Sequence, residues 1–424
     1  MTMLPSTKMR ELTVLLVCAT AAATATAACG SSSSPALLGN QKVVTASPPS
    51  QADLVAFSRL TNAIPTEISA DGSTAYGVVD SGNPWVLLDP AAFPTAATLP
   101  ANGGPLDAIT AGGLTRSKPY VIPTSTGDVS GDATLTLRGN LGCSVLCGQV
   151  ASFDYRAVTF TLGDTPPTDA PTDLGATLSV PFTLSGGGSD EGVPIPASRV
   201  VVPVVIEGTT FSMIVDTGAS DVILSADAYN SIVADGRVQT DGGMSQTTTG
   251  TSDSSITRVR SIVVGDATVE RPVIGHDAAF DANIAEVSAD VGHTIDGSLG
   301  GTFLRNYYVT LDYPNLAVNL APYPDTSFLL DQGEMIGIAV EDVGGGYLVS
   351  EVSTAAAAAG VNVGDVVLSI DGQDLASISP LQVATLFYGT VGTTKKVTFG
   401  AAAMLDNQSI DLTVEEMLPL ANPR

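Results

Sequence analysis

Two copies of the tripeptide Asp-Ser/Thr-Gly, at Asp80-Ser81-Gly82 and Asp216-Thr217-Gly218, each lie between a hydrophobic strand and a second apolar run. The first copy runs from Tyr76 to Leu88 and the second from Phe211 to Leu224, both reading as strand, turn, strand with the acid at the turn. Such a doubling points to a site built from two carboxylates, one from each half of the chain. The bare tripeptide is weak on its own, because a chain rich in Gly, Ser and Thr produces it by chance. The flanks decide.

They supply a second matching pair of segments. Gly139 to Tyr155 and Gly297 to Tyr313 align without a gap at an offset of 158 residues, pairing Leu141-Gly142 with Leu299-Gly300 and Phe153-Asp-Tyr155 with Leu311-Asp-Tyr313. A Pro-containing hairpin precedes each acid, from Ile64 through Asp71-Gly72 and from Val202 through Glu207-Gly208, with the tighter turn expected in the second. Ordered matches of this kind make an internal duplication.

This pattern resembles the pepsin-like and retropepsin-like aspartic proteases over about residues 55 to 325, most closely in the second half, where Asp296-Gly-Ser-Leu-Gly-Gly-Thr-Phe-Leu304 precedes Val309-Thr-Leu-Asp-Tyr313. The resemblance implies a mainly β chain with two related lobes and, following them, the further unit described below. It implies that Asp80 and Asp216 are the acid-base pair, and that Gly82 and Gly218 permit the tight turns. Ser81 and Thr217 match positions whose hydroxyls hold the two loops in register. No cofactor or metal is implied. A substrate-covering flap falls at Gly242 to Gly250, and Tyr120 is either a first-lobe flap tyrosine or a plain loop aromatic. Trp85 reads as core. The first lobe departs from the family in carrying Asn83-Pro84 after the glycine.

Two carboxyls held about 3 Å apart cannot both ionise comfortably, so they share a proton, as aspartic proteases do. One can then take a proton from water while the other polarises a carbonyl. The competing role for either Asp is that of a turn residue between strands. Other hydrolytic chemistries are poorly supplied. His276 and His293 do not fall in His-Glu-x-x-His spacing, and no Gly-x-Ser-x-Gly elbow is present.

At 424 residues, with 44% hydrophobic and 14% charged, the chain can pack two or three domains. Its net charge of -26 argues against nucleic acid and anionic lipid surfaces as partners. Lys8 and Arg10, the apolar run from Leu12 to Ala28, and Cys29 before Ser31 to Ser34 read as an export signal. This segment resembles a bacterial lipoprotein signal with Cys29 as the lipidated residue. Thr26 stands where that signal usually has Leu, which keeps plain secretion open. Membrane contact is then expected through a lipid anchor alone. Outside the signal, Cys143 and Cys147 form an even pair, and an exported chain is expected to join them. Closing so short a loop contributes about 2 kcal/mol.

From Gln332 to Glu416 the order of segments, above all Gly364-Asp-Val-Val-Leu-Ser-Ile-Asp-Gly372, resembles a PDZ domain of exported bacterial proteases. In PDZ domains an extended peptide end adds as a strand, and Met335-Ile336-Gly337-Ile338 match the loop that takes its carboxylate. Asp331 and Glu334 stand just before that loop and disfavour a carboxylate, so the unit binds internal segments or packs on the lobes instead. The expected organisation is signal 1–28, tether 29–52, first lobe 53–190, second lobe 191–328 and PDZ unit 329–418. Protein or peptide substrates are the expected partners of a monomeric endopeptidase. Two alternatives stay open: a homodimeric retropepsin-like enzyme using Asp216 alone, and a catalytically silent peptide-binding protein.

Overall fold

The computed structural model describes residues 17–18, 49–125, 135–190, 193–247, 250–343, 346–400 and 407–420. The signal segment apart from 17–18, Cys29 and most of the tether lie outside them. The helix Gln51–Thr61 begins inside the stretch expected to be tether, because Ser50 and Asp53 form a reciprocal capping box at its start.

Each Asp-containing loop follows a hairpin. In the first half Pro65–Ala70 pairs with Ser73–Val79, and in the second Arg199–Ile206 pairs with Thr209–Val215. The turns are equally tight, contrary to the sequence-based expectation. Asp71-Gly72 and Glu207-Gly208 both have positive φ at both positions (48° and 81°, 48° and 86°), the two-residue geometry that matches the twist of the flanking strands.

The likeness extends through both sheets. In the first half the strands run in the order Tyr120–Pro123, Val86–Leu88, Leu137–Leu141, Ser73–Val79, Pro65–Ala70, Ala108–Ala111, Leu114–Ser117. The second half repeats this order with Val273–Asp277, Val222–Leu224, Gly297–Leu299, Thr209–Val215, Arg199–Ile206, Ser261–Val264, Ala267–Glu270. Parallel and antiparallel neighbours also correspond: the strand before each acid lies parallel to the strand ending in Leu141 or Leu299.

A third sheet joins the halves. Val150–Asp154 pairs antiparallel with Tyr307–Asp312, and Leu178–Pro181, from the segment between the halves, pairs with Ala317–Pro322. Ser152 and Thr310 hydroxyls meet across it at 3.1 Å. One continuous core, including Ile68, Leu141, Phe153, Val215, Leu299 and Leu311, runs through both halves, beside smaller clusters within each, such as Trp85 with Leu87 in the first and Ile214 with Phe280 in the second.

The C-terminal unit has its own core of Ile336, Ile338, Val349, Val367, Phe387, Val397 and Phe399. Its sheet ends at the strand Ile338–Asp342. Two junctions dock it. Asp53 of the N-terminal helix accepts from Ser379 Oγ (2.5 Å) and Gln382 Nε2 (2.7 Å), while Leu381 packs with Phe57 and Leu135. On the other side Arg258, 1% exposed, donates from its two terminal nitrogens, Nη2 and Nη1, to Asp331 (2.7 and 2.8 Å) and from Nε to the Leu418 carbonyl (2.7 Å). Among the described residues no helix is long and apolar enough to cross a membrane.

Removing the Asp331 carboxylate takes away the hydrogen-bonded partner of a buried cation and leaves it Glu416 at 3.9 Å. Asp331→Ala is expected to cost about 2–3 kcal/mol in urea unfolding, less than for a fully buried pair because Asp331 is itself a third exposed. An unchanged midpoint would mean that the junction carries no stability.

Candidate active site

The two Asp loops meet back to back. Ser81 Oγ donates to the Val215 carbonyl (2.8 Å) and Thr217 Oγ1 donates to the Val79 carbonyl (2.8 Å). Each hydroxyl also accepts the N–H of its counterpart, Thr217 N to Ser81 Oγ and Ser81 N to Thr217 Oγ1, both at 3.1 Å. All four bonds are buried, where an unmade bond leaves its full desolvation cost. Ser81 and Thr217 thus tie the two loops to each other through side chain and backbone alike.

Asp80 and Asp216 are 0% and 1% exposed. Asp80 Oδ1 accepts from Gly82 N (2.8 Å) and its Oδ2 from Asn140 Nδ2 (2.8 Å). Asp216 Oδ1 accepts from Gly218 N (3.0 Å) and Ala219 N (3.1 Å), and its Oδ2 from Ser298 Oγ (3.3 Å). The glycines admit this crossing. A Cβ on Gly82 would lie 2.6 Å from the Asp216 carboxyl carbon, and one on Gly218 would lie 2.6 Å from that of Asp80, closer than packed atoms tolerate.

Burial raises both carboxyls above the usual carboxylate range, Asp80 strongly, with the Asp216 charge as the next cause. Asp216 is held back by the facing Asp80 carboxyl, by the Gly218 and Ala219 N–H groups, and by the charge of Arg199. Burial and mutual repulsion therefore disfavour double ionisation of the pair, with three hydrogen-bond donors on Asp216 against two on Asp80.

Asn140, Ser298 and Arg199 were not anticipated as site residues. Asn140 and Ser298 each immediately precede the matched Leu-Gly, at the same offset of 158, which was the available signal. Arg199 reaches from the second half to donate Nη1 to the Gly82 carbonyl. Asn83-Pro84 leaves the first loop intact: Asn83 N donates to the Asp80 carbonyl (3.3 Å), and the Asn83 carbonyl accepts from Cys143 N (2.8 Å), as the Ala219 carbonyl accepts from Gly301 N (2.8 Å).

Cys143 and Cys147 are joined by a disulfide beside this turn. Trp85 is buried with Leu87 and Ile122, and Tyr120 packs on the same cluster with its hydroxyl on the Asn102 carbonyl (3.2 Å). His276 bonds Asp281 at 3.0 Å, and His293 lies 3.4 Å from the Ser212 hydroxyl. The strands Gln239–Thr247 and Gly250–Arg258 form a hairpin where the second-lobe flap is expected, and its tip lies outside the described residues.

In the C-terminal unit Met335 pairs with Glu415, Ile336 N donates to the Phe387 carbonyl (3.0 Å), and Gly337 has φ of 69°. Ile338 opens the end strand. The expected carboxylate loop thus has one of its N–H groups already engaged. Glu415, which accepts from Ser353 Oγ at 2.5 Å, lies against Gly337.

Just past the second Asp loop, the N-terminal helix makes contact. Asn62 Nδ2 donates to the Ser220 carbonyl (2.9 Å) and Asn62 Oδ1 accepts from buried Arg305 (2.5 Å). Neighbouring Asp221 is raised to about 6 by burial, partly offset by Arg305.

Thr217→Val removes a donor and an acceptor from the buried interlock and is expected to cost about 2–3 kcal/mol in chemical denaturation. Native Asp221 binds its proton more tightly than the unfolded chain, so its contribution to stability falls as pH rises from about 4 to about 6. Asp221→Asn should therefore gain stability relative to the parent across that window, as read from melting temperatures; a constant difference would contradict the burial account.

A family model described as aspartyl protease matches residues 202–303, and a PDZ domain model matches residues 327–401. No curated protein matches the chain. Among solved structures, the aspartic proteinase from Irpex lacteus aligns with 62% of this chain and 95% of its own length, at 14% identity and a TM-score of 0.34. A photosystem II D1 C-terminal processing protease aligns with 22% of this chain at 22% identity and a TM-score of 0.19, and the chain spans a quarter of that protein's length. The chain carries an aspartyl protease domain, with Asp216 inside it, followed by a PDZ domain.

Proposed function

We propose that the protein is a single-chain aspartic endopeptidase that hydrolyses peptide bonds with a water activated between Asp80 and Asp216. The observation that carries this reading is the reciprocal bonding of Ser81 and Thr217, which sets the two carboxyls face to face within one chain. A site complete in one chain favours a monomer over a homodimer using Asp216 alone.

The chemistry follows from the shared proton. The ionised member, Asp216 by its donors, takes a proton from water, while the protonated member, Asp80, hydrogen-bonds the scissile carbonyl. Water attack gives a tetrahedral carbon, and the proton held by Asp216 then passes to the leaving amine. The pair titrates as a unit, so the rate should follow a bell whose two limbs belong to both groups. Both carboxyls are raised, which extends the singly protonated form towards neutral pH.

The PDZ unit supports peptide binding. Its end strand Ile338–Asp342 can pair with an added segment, and the engaged Ile336 N–H and nearby Glu415 favour an internal segment over a terminal carboxylate. The charged, apolar and Cys29-containing start of the chain supports export with a lipid anchor.

The test is cleavage of an unfolded protein by purified residues 30–424 between pH 3 and 8. Asp80→Asn and Asp216→Asn are each expected to abolish it, and Gly218→Ala to lower kcat/KM about a hundredfold or more by displacing Asp80. Activity that survives Asp80→Asn would overturn the two-carboxylate reading, and a parent inactive at every pH would favour a peptide-binding protein.

A further inference from the structure

Arg199 has no counterpart in the first half. The hairpins align without a gap through their Asp71-Gly72 and Glu207-Gly208 turns, and this register sets buried Ala63 opposite Arg199. The arginine opens the strand Arg199–Ile206, is 8% exposed, and crosses to the other lobe to bond the Gly82 carbonyl. Gly82 touches both reacting groups: its N–H bonds Asp80, and its Cα faces the Asp216 carboxyl.

Its charge is poorly matched elsewhere. The ion-pair partner is Asp290 of the helix Ala278–Val291, whose Oδ2 stands 4.0 Å from Arg199 Nε, beyond hydrogen-bond reach. Neither of those two buried atoms has a hydrogen-bond partner, and Asp290 Oδ1 is spent on Gly187 N at 3.0 Å. Asp80, Asp216 and Asp290 are the charged groups that act on this cation. A buried guanidinium without a closed partner costs free energy, and the negative charge of the dyad offsets that cost.

We infer that Arg199 is a positioning residue for the dyad, holding the first Asp loop at Gly82 and supplying the positive charge that lets the buried pair ionise, with Asp290 setting how much of that charge the dyad feels. The inference rests on the proposed protease reading. Asymmetry follows from it: one arginine, entering from one side, makes two carboxyls in near-equivalent loops unequal, which is what a mechanism with one acid and one base requires.

The sign is fixed by electrostatics. A cation favours the ionised form of each carboxyl, so its loss raises both dyad pKa values and moves the whole pH–rate bell upward. Arg199→Gln is expected to shift both limbs up by on the order of one unit. Arg199→Lys keeps the charge without the planar fork and should keep the limbs in place while lowering kcat. Asp290→Asn frees more positive charge for the dyad and should shift the bell down.

The experiment is the pH–rate profile of the full chain and these three variants, together with carbon NMR titration of the Asp80 and Asp216 carboxyls in the same proteins. Upward movement of the carboxyl titrations in Arg199→Gln and their downward movement in Asp290→Asn support the inference. Titrations that stay put in both overturn it, even if the rate falls. Should the parent cleave nothing, the protease reading fails, while the carboxyl titrations still decide whether Arg199 governs the dyad.

Discussion

Four buried hydrogen bonds between Ser81 and Thr217 and the backbone of the opposite lobe fix everything else at the candidate site. They bind two loops whose tripeptides are 136 residues apart in sequence and set the distance between two carboxyls that would otherwise repel. Because each hydroxyl both donates and accepts, neither lobe can shift without breaking bonds in pairs. The surrounding sheets repeat one strand order so that each loop arrives in the same pose. The glycine in each then lets the facing carboxyl come within contact.

That symmetry is broken by a few charged groups. Arg199 enters from one side, and Asp216 gains a second backbone donor in Ala219. At the outer edge, Asp221, Arg305 and Asn62 tie the second Asp loop to the N-terminal helix, which in turn anchors the PDZ unit through Asp53. Arg258 and Asp331 close the same unit onto the second lobe. The PDZ unit is therefore built into the protease frame on two sides, and it has its own core besides.

Much of this was legible in the chain because it depends on local pattern. The strand-turn-strand around each acid, the Leu-Gly segments and the hairpins all follow from alternating apolar residues punctuated by Gly, and the model matches for the aspartyl protease and PDZ domains fall where those patterns lie. The equal hairpin turns were missed because Glu207 is an unusual residue at positive φ, so its match to Asp71 was hidden. The N-terminal helix was missed because a single helix of weak amphipathicity carries little signal beyond the Ser50-x-x-Asp53 box. Arg199 and the Arg258–Asp331 pair were illegible for a different reason: their partners lie far along the chain, and no spacing rule encodes a contact made by tertiary packing.

The central claim is that one chain contributes both carboxyls to one site. It is tested most directly by calorimetric titration with a peptide analogue carrying a tetrahedral secondary alcohol in place of the scissile carbonyl, followed by a crystal structure of the complex. Such a group resembles the transition state rather than the substrate and should bind much more tightly than a plain peptide. The account predicts one analogue per monomeric chain, its hydroxyl hydrogen-bonded to both Asp80 and Asp216. One analogue per two chains, with the hydroxyl between two copies of Asp216, would contradict it.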